Sequence, residues 1–133
     1  MRWRSTSPSC SAIPDGSTMI EVTRATARDR SCASTPADSS TYLGLANGII
    51  SKQMLPFVLF PPTTATRCRF REHDGDEFVI VLSGAVELQF TSHSELLEEG
   101  DSAYFRGGVA HYFRSVGSEP AQVLAIIATT ATP

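Results

Sequence analysis

Residues 77–90 read EFVIVLSGAVELQF and contain two β-strand patterns separated by a turn at Gly84. In the second pattern Val86, Leu88 and Phe90 alternate with polar residues. Successive side chains of a strand point to opposite faces, so this alternation predicts a strand with one buried face. The first pattern is a short apolar run bounded by turn-forming residues, which is also typical of a strand.

Similar short runs continue on both sides of this stretch. They are separated by turn sequences such as Asp74-Gly75 and Gly107-Gly108. Residues 95–99 offer at most one helical turn before Gly100. Many short strands with glycine turns predict an all-β sandwich or barrel. The predicted strands are TYLGLA (41–46), MLPFVLF (54–60), TRCRF (66–70), EFVIVL (77–82), AVELQF (85–90), SAYFR (102–106), AHYFRSV (110–116) and AQVLAII (121–127).

The length of 133 residues is sufficient for one domain. Residues 1–18 are rich in Ser, Thr and Pro and are predicted to be a disordered tail. Residues 19–40 are predicted to contain an N-terminal strand, MIEVTRA, followed by a loop. The barrel itself is predicted to span residues 41–130.

Composition excludes several classes of function. The net charge is −3 and the pI is about 5.5, whereas a nucleic-acid-binding surface usually shows a clustered basic excess. No apolar run reaches the about 18 residues that a membrane-spanning helix needs. The three cysteines are an odd, widely spaced set without a CxxC pair. They predict neither a zinc knuckle nor a disulfide framework and favour the reducing cytoplasm.

Two of the three histidines lie in the β region near a carboxylate. His73 and Glu77 flank the turn Asp74-Gly75-Asp76, which can bring both side chains into one barrel mouth, and His111 begins a later strand. Two imidazoles and one carboxylate suit Fe(II), Mn(II), Ni(II) or Zn(II), so these three residues are the candidate metal ligands. The alternative is a solvated turn and a structural histidine, because scattered histidines are a weak signal.

Two longer stretches, HDGDEFVIVLSGAVEL (73–88) and EEGDSAYFRGGVAHYFRSVGSEP (98–120), resemble the two motifs of the cupin superfamily. The first family motif reads His-x-His, three or four residues, Glu, six residues, Gly. The second reads Gly, five residues, Pro-x-Gly, two residues, His, three residues, Asn. The resemblance implies a double-stranded β-helix, or jelly-roll barrel, with a metal held by three histidines and one glutamate. The matching positions are His73, Glu77, Gly84, Gly100, Gly108 and His111.

The chain departs from these motifs at three positions. Arg71 replaces the first histidine of the His-x-His pair, Arg106 replaces the proline and Ser115 replaces the closing asparagine. By this resemblance the chain keeps three of the four metal ligands. Arginine stays charged and repels a divalent cation, but its planar fork binds a carboxylate or a phosphate. The replacement at position 71 therefore predicts a weakened metal site and a pocket for a small anion.

The predicted ligand-binding residues are Arg71, Arg69 and Phe113. Arg67, Arg69 and Arg71 alternate in the predicted strand 66–70 and its extension, so they are expected to share one face. The alternative is a solvated charged face that is balanced by neighbouring acids.

The barrel sequence also resembles the C-terminal sensor domain of XRE-type helix-turn-helix/cupin regulators, which implies a small effector molecule as ligand. Residues 1–40 are too short and too rich in Ser and Pro for the DNA-binding helices of those regulators. No direct nucleic-acid binding is therefore expected. Cupins usually pair, so a homodimer is expected, and the strands near residues 20–24 and 41–46 are the candidates for edge pairing.

Three functions remain open from the sequence. The favoured one is a binding module that holds a small molecule, such as a carboxylate, beside a weakened metal site. The second is a metal-dependent dioxygenase or isomerase, since two histidines and one carboxylate suffice for non-haem iron oxygenases. The third is a structural partner protein with an inert barrel. The fold alone does not choose among them.

Overall fold

Eight β-strands in two antiparallel sheets form the part of the chain that the computed structural model describes, residues 20–25 and 40–129. One sheet has the strand order β1-β2-β8-β3-β6 and the other has the order β5-β4-β7. This architecture confirms the predicted all-β jelly-roll barrel. None of the described segments forms a helix of the length and apolarity that a membrane crossing needs. The strands are β1 (Thr41–Gly44), β2 (Met54–Phe60), β3 (Asp76–Ser83), β4 (Ala85–Phe90), β5 (Ser94–Glu98), β6 (Ser102–Arg106), β7 (His111–Val116) and β8 (Gln122–Ala128).

The core lies between the two sheets, and the period-two pattern decides which residues enter it. In β4, Val86 and Leu88 are 0% and 1% exposed, whereas Glu87 between them points outward. From the five-stranded sheet, Val79 and Val81 of β3 meet them at 0% and 1% exposure. Burying each such side chain contributes on the order of 1.5–3 kcal/mol to the stability of the fold. The apolar positions of the alternating pattern are therefore the core positions.

The chain passes from one sheet to the other at Gly84. Strands β3 and β4 are consecutive, yet each pairs with other partners. Gly84 has a φ of 79°, in the left-handed region that favours glycine. A side chain here would also crowd Ala121. The turn predicted at this glycine is therefore a crossing between the two layers.

The prediction of a strand over residues 66–70 is wrong. Ala65–Arg67 form a 3-10 turn, and the chain is then irregular until Arg71, which makes an isolated bridge to His111. The alternation of TRCRF was misleading because this segment has no ladder partner among the described residues except at Arg71. A shared strand face of Arg67, Arg69 and Arg71 is consequently wrong as well.

Strand β5 (Ser94–Glu98) occupies the place where the sequence suggested one helical turn. It pairs with β4 along its whole length, with Leu97 opposite Val86. Leu97 is its one buried residue. A strand that buries a single side chain shows almost no alternation of apolar and polar residues. For this reason β5 was not predicted from the sequence.

Residues 20–24 belong to no strand, contrary to the expectation for this segment. Instead, Thr23 Oγ1 accepts a hydrogen bond from the Ala46 N–H at 3.2 Å, and the Glu21 carboxylate lies against Gly48. Residues 1–19 and 26–39 lie outside the described part of the chain, and so do the tail and the loop that were predicted there. The division into tail, N-terminal segment and barrel stays a prediction.

Ser115, which replaces the family asparagine, is a fully buried cross-link. Its Oγ donates to the Pro61 carbonyl at 2.7 Å and accepts from the Ala121 N–H at 2.8 Å. One hydroxyl thus joins β7 to two other segments of the chain. The departure from the family motif at this position has a structural role.

Ser115→Ala is expected to destabilise the fold by about 2–3 kcal/mol, because a buried N–H and a buried C=O each lose a partner. The measurement is urea unfolding followed by circular dichroism. Ser94→Ala, at an exposed position of β5, is the matched control and should change the free energy of unfolding by less than about 0.5 kcal/mol. Equal effects of the two substitutions would contradict the cross-linking role.

Candidate metal centre

Three side chains from both sheets meet at one end of the barrel. His73 precedes β3, Glu77 lies near the start of β3, and His111 is the first residue of β7 in the opposite sheet. His73 Nε2 lies 2.8 Å from Glu77 Oε1, and His111 Nε2 lies 3.5 Å from the same oxygen. The structure therefore brings together all three residues that the sequence proposed as metal ligands.

Hydrogen bonds to the backbone orient both imidazole rings. His111 Nδ1 is 2.7 Å from the Val109 carbonyl, and His73 Nδ1 is 3.1 Å from the Asp74 carbonyl. A carbonyl only accepts, so each Nδ1 carries the proton that it donates. The two Nε2 atoms are left facing Glu77. Fixing one ring nitrogen in this way is how proteins prepare the other as a metal ligand.

The donor set fits a divalent cation. The ligand atoms of His73, Glu77 and His111 all lie within 4.8 Å of one another. Glu77 and His111 are 3% and 5% exposed, and a buried carboxylate is costly unless it is compensated. Two imidazoles and one carboxylate are the donors that non-haem iron and related divalent metals prefer. These three residues can hold a metal.

The electrostatics of His111 reflect its contact with Glu77. Burial alone would lower the pKa of His111, but the hydrogen bonds to Glu77 and to the Val109 carbonyl, together with the Glu77 charge, raise it above its ordinary value. In the absence of metal, the raised pKa of His111 favours a proton on Nε2, which is the nitrogen from which His111 would bind a cation. Proton and metal compete for one nitrogen.

This competition predicts opposite pH dependences for stability and metal affinity. Because the folded pKa of His111 is raised, its protonated form stabilises the metal-free fold fully below the ordinary value of about 6.5. That contribution is lost as the pH rises through the higher folded value. Metal affinity should rise over the same range as the proton leaves. Urea midpoints and metal titrations measured in parallel, with His111→Gln as the reference, test both slopes; a wild-type stability profile parallel to that of His111→Gln would contradict the prediction.

Gly107 holds His73 in place. Its N–H donates to the Gly75 carbonyl at 3.0 Å, and its own carbonyl accepts from the His73 N–H at 2.9 Å. A Cβ at this position would overlap His73 Cε1 and Nδ1 and the Gly75 carbonyl. Gly107 is buried. The sequence showed Gly107-Gly108 only as a turn, and this close approach to His73 was not predicted because it is non-local.

The three side chains lie in a cavity of about 400 Å³. Its charged lining, besides the histidines, consists of two arginines and two glutamates: Arg69, Arg71, Glu72 and Glu77. The sequence did not single out Glu72 or most of the apolar wall. Tyr42 and Phe57 occupy inward-facing positions of their predicted strands, and this alternation could have identified them as part of the cavity wall. The apolar lining residues are Tyr42, Phe57, Leu59, Tyr112, Phe113 and Ile127.

Arg71, Arg69 and Phe113, the predicted ligand-binding residues, all line this cavity. Arg71 exchanges two backbone hydrogen bonds with His111, at 2.9 and 3.0 Å. Residues directly opposite in an antiparallel pair project their side chains to the same face, so Arg71 lies on the metal-ligand side. Arg69 and Arg71 are exposed, whereas Phe113 is 8% exposed and belongs to the core. Arg67 is not among the lining residues.

Arg106, the third departure from the family motif, lies away from the cavity. It is on the outer side of β6 and donates to Asp76 Oδ2 at 2.5 Å. Asp76 also accepts a hydrogen bond from the Tyr104 hydroxyl, and this bond and the one from Arg106 lower the pKa of Asp76. Arg106 therefore contributes no side chain to the metal centre.

Comparisons with known proteins agree with this architecture. The family model described as Cupin domain matches residues 56–127. No curated protein matches the chain. The resemblance to XRE-type sensor domains stays a prediction.

Solved structures share the fold at low identity. Hydroxypropylphosphonic acid epoxidase from S. wedmorenis in complex with fosfomycin has a TM-score of 0.58 and 23% identity, covering 66% of this chain and 50% of that chain. The structure of FeII HppE has a TM-score of 0.69 and 22% identity, covering 82% and 60%. A conserved protein of unknown function from Streptococcus pyogenes has a TM-score of 0.56 and 18% identity, covering 71% and 78%. The chain thus spans 50–60% of the length of these two epoxidase chains.

Proposed function

Because this chain belongs to the cupin domain family, whose model matches residues 56–127, we propose that it binds a small anion beside a divalent metal in the barrel cavity. His73, Glu77 and His111 hold the metal, and Arg71 with Arg69 binds the anion. The observation that carries this proposal is the position of two arginines in the same cavity as three converging metal ligands.

Charge balance in the cavity supports an anionic ligand. Two arginines and two glutamates line it, so their formal charges cancel. A bound divalent cation leaves the cavity with a positive excess in a partly buried space. A dicarboxylate or a phosphonate dianion would offset this excess and can accept a bidentate pair of hydrogen bonds from arginine. Anion binding is therefore expected to depend on the metal.

The chemistry of the metal is that of a Lewis acid for an oxygen of the anion. The chain's own residues supply orientation. The buried ring of Phe113 and the T-shaped pair of Tyr42 and Phe57, with centroids 5.5 Å apart, form an apolar wall. Such a wall excludes water and favours a ligand with an apolar part next to its acidic group. One structure that shares this fold, hydroxypropylphosphonic acid epoxidase, is in complex with fosfomycin.

Arg71→Ala is expected to move two affinities in opposite directions. Binding of succinate or methylphosphonate to the Mn(II)-loaded protein should weaken about tenfold, because an exposed charge-assisted hydrogen bond is lost. Mn(II) affinity should stay equal or rise, because a cation beside the site is removed. Isothermal titration of Mn(II), and then of each anion, measures both quantities.

Arg67→Ala is the matched control, since this arginine is exposed but does not line the cavity. A damaged fold would reduce both affinities, so an unchanged metal affinity separates a binding role from a structural one. Anion binding that is equally strong without metal would contradict the proposed arrangement. Equal effects of the two arginine substitutions would do so as well.

A metal-dependent oxygenase or isomerase is the second candidate. Three protein ligands leave coordination positions of a divalent metal open to water, substrate or dioxygen. The FeII HppE structure, with a TM-score of 0.69, shows that this fold can accompany iron. Dioxygen uptake by the Fe(II)-loaded protein, measured with the same anions and with Glu77→Gln as the blank, separates this candidate from a binding module. A sensor-like role and a cytoplasmic location remain predictions from the sequence.

A further inference from the structure

The cavity beside the metal ligands is elongated and follows the inner face of β8, β2 and β1. Glu77 pairs with Ile127 near the end of β8, and Val123 lies four residues away on the same face of that strand. Val123 pairs with Leu59, which in turn pairs with Tyr42. Four residues of an antiparallel strand span about 13 Å. Because Glu77, Leu59 and Tyr42 all line the cavity, it reaches about 13 Å inward from the metal ligands.

The cavity exists because the two sheets differ in width, and three strands cannot cover five. The inner side chains of β1 and β2, which are Tyr42, Phe57 and Leu59, line the cavity. The lining also includes Phe113 of β7 and residues 68–72, which form no ladder beyond the single bridge of Arg71 to His111. The space that a further strand would fill is therefore left open between the sheets.

The end of the cavity that is far from the metal ligands is closed by the chain itself. Pro61 and Pro62 directly follow β2 and are buried. Their carbonyls accept hydrogen bonds from the Ser115 hydroxyl at 2.7 Å and from the Ser115 N–H at 2.8 Å. Ser115 lies four residues along β7 from His111, so this junction also stands about 13 Å from the metal end. The cavity therefore has a defined length.

Charge and apolar surface are separated along this length. Every arginine and glutamate of the described lining is either Glu77 or lies within two positions of Arg71, which pairs with His111 at the metal end. The remaining polar lining residues, Ser40 and Cys68, are small and uncharged at neutral pH. The side chains of the other half are apolar: Tyr42, Phe57, Leu59 and Phe113.

We infer that the ligand of this site is an amphipathic acid, with one acid group at the metal and Arg71 and an unbranched or flat apolar tail that reaches Tyr42 and Leu59. This inference rests on the proposed function and adds the class of the ligand to it. An extended chain advances about 3.3–3.6 Å for every three backbone atoms, so about 13 Å holds about eight tail atoms after the acid group is allowed for. Phe57 and Tyr42 are then the residues that select tail length.

The apolar half of the cavity gives such a tail a large advantage over a bare anion. A cavity of about 400 Å³ is in the range that encloses a whole organic ligand. Methylphosphonate would occupy only the charged end and would leave the apolar half unfilled. Each CH₂ group that is buried improves affinity by up to about fourfold. Affinity should therefore rise with tail length until the far end is reached.

Isothermal titration of n-alkylphosphonates, each below its micellar concentration, into the Mn(II)-loaded full chain tests the inference. Octylphosphonate should bind at least about a hundredfold more tightly than methylphosphonate and at least about tenfold more tightly than butylphosphonate, with one molecule per chain. Dodecylphosphonate should bind no more tightly than octylphosphonate, because its last carbons find no space beyond Pro61 and Pro62.

Two substitutions should move this limit in opposite directions. Phe57→Trp places a larger ring halfway along the cavity, so the advantage of octylphosphonate over butylphosphonate should disappear. Tyr42→Ala removes a ring from the far end, so dodecylphosphonate should bind at least about fivefold more tightly than octylphosphonate. Phe60→Trp is the matched control, because Phe60 is half-buried like Phe57 but does not line the cavity. It should leave the whole series unchanged.

The outcomes separate this inference from the proposed function. If methylphosphonate and succinate bind but longer tails add nothing, the proposed anion site stands and the amphipathic ligand is rejected. If no member of the series binds to the metal-loaded protein, both are rejected. A length limit that stays the same in Phe57→Trp and Tyr42→Ala would place the tail outside this cavity. Circular dichroism checks the fold of each variant, and Tyr42→Ala keeps the test decisive if Phe57→Trp fails to fold.

Discussion

Glu77→Gln is expected to abolish stoichiometric metal binding. Glu77 contributes the one anionic ligand, and its Oε1 is the atom that both imidazoles approach, at 2.8 and 3.5 Å. The amide keeps the shape of the side chain but removes the charge that attracts a divalent cation. Loss of a mere supporting partner of a metal ligand costs about 10–100-fold in affinity, so loss of the charged ligand itself should cost more than about a hundredfold.

Metal content per chain, measured by plasma mass spectrometry after loading with Fe(II), Mn(II), Ni(II) or Zn(II), checks this expectation. Glu87→Gln is the matched control, because Glu87 lies on the outer face of β4 and pairs with Arg114. It should retain the wild-type metal content. Stoichiometric metal in Glu77→Gln would mean that the cation binds elsewhere, and the proposed centre would be rejected.

Gly107→Ala is expected to have the second largest effect. The added methyl group would overlap the His73 ring and the Gly75 carbonyl, so either His73 leaves the site or the backbone shifts. Displacing one ligand of three should weaken metal binding by at least about tenfold, and the crowding should cost about 1–3 kcal/mol of stability. The backbone torsion is not the cause, since Gly107 is not among the residues with positive φ.

Gly108→Ala provides a closely matched control for this prediction. Gly108 is the next residue, has no positive φ, and a Cβ there meets nothing within 4 Å. Its substitution should leave metal affinity unchanged and should slightly increase stability by restricting the unfolded chain. If both alanine variants bind metal like the wild type, the site does not depend on the packing of Gly107 against His73.

Much of the fold could be predicted from the sequence because core residues alternate with outward-facing residues along the strands. The alternation of Val86, Leu88 and Phe90 predicted β4, and that strand is present with those side chains inside. The same logic failed at residues 66–70, where alternation exists without a partner strand. It also failed at β5, which buries only Leu97. The alternation of apolar and polar residues predicts which side chains are buried, but it does not predict whether a neighbouring strand is present to pair with.

The candidate site could be predicted only in part from the sequence. His73 and Glu77 are local, and a turn between them was a sound expectation. His111 lies 38 positions beyond His73 in the chain. The sequence grouped it with the other two only as one of two histidines in the β region, and the family resemblance supported that grouping. The bonds that fix the ring nitrogens, such as Val109 to His111, involve backbone carbonyls that no side-chain pattern reveals. The packing of Gly107 against His73 could not be predicted either, because it also involves the backbone.

The three ligands do not come from one layer of the barrel. Glu77 belongs to the five-stranded sheet and His111 to the three-stranded sheet. A cation bound by both would therefore be a removable cross-link between the two sheets, comparable to a disulfide between two chains. By mass action, a metal at a hundred times its dissociation constant adds about 2.7 kcal/mol to the stability of the folded state. The supply of metal would then govern how long each molecule survives against unfolding and proteolysis.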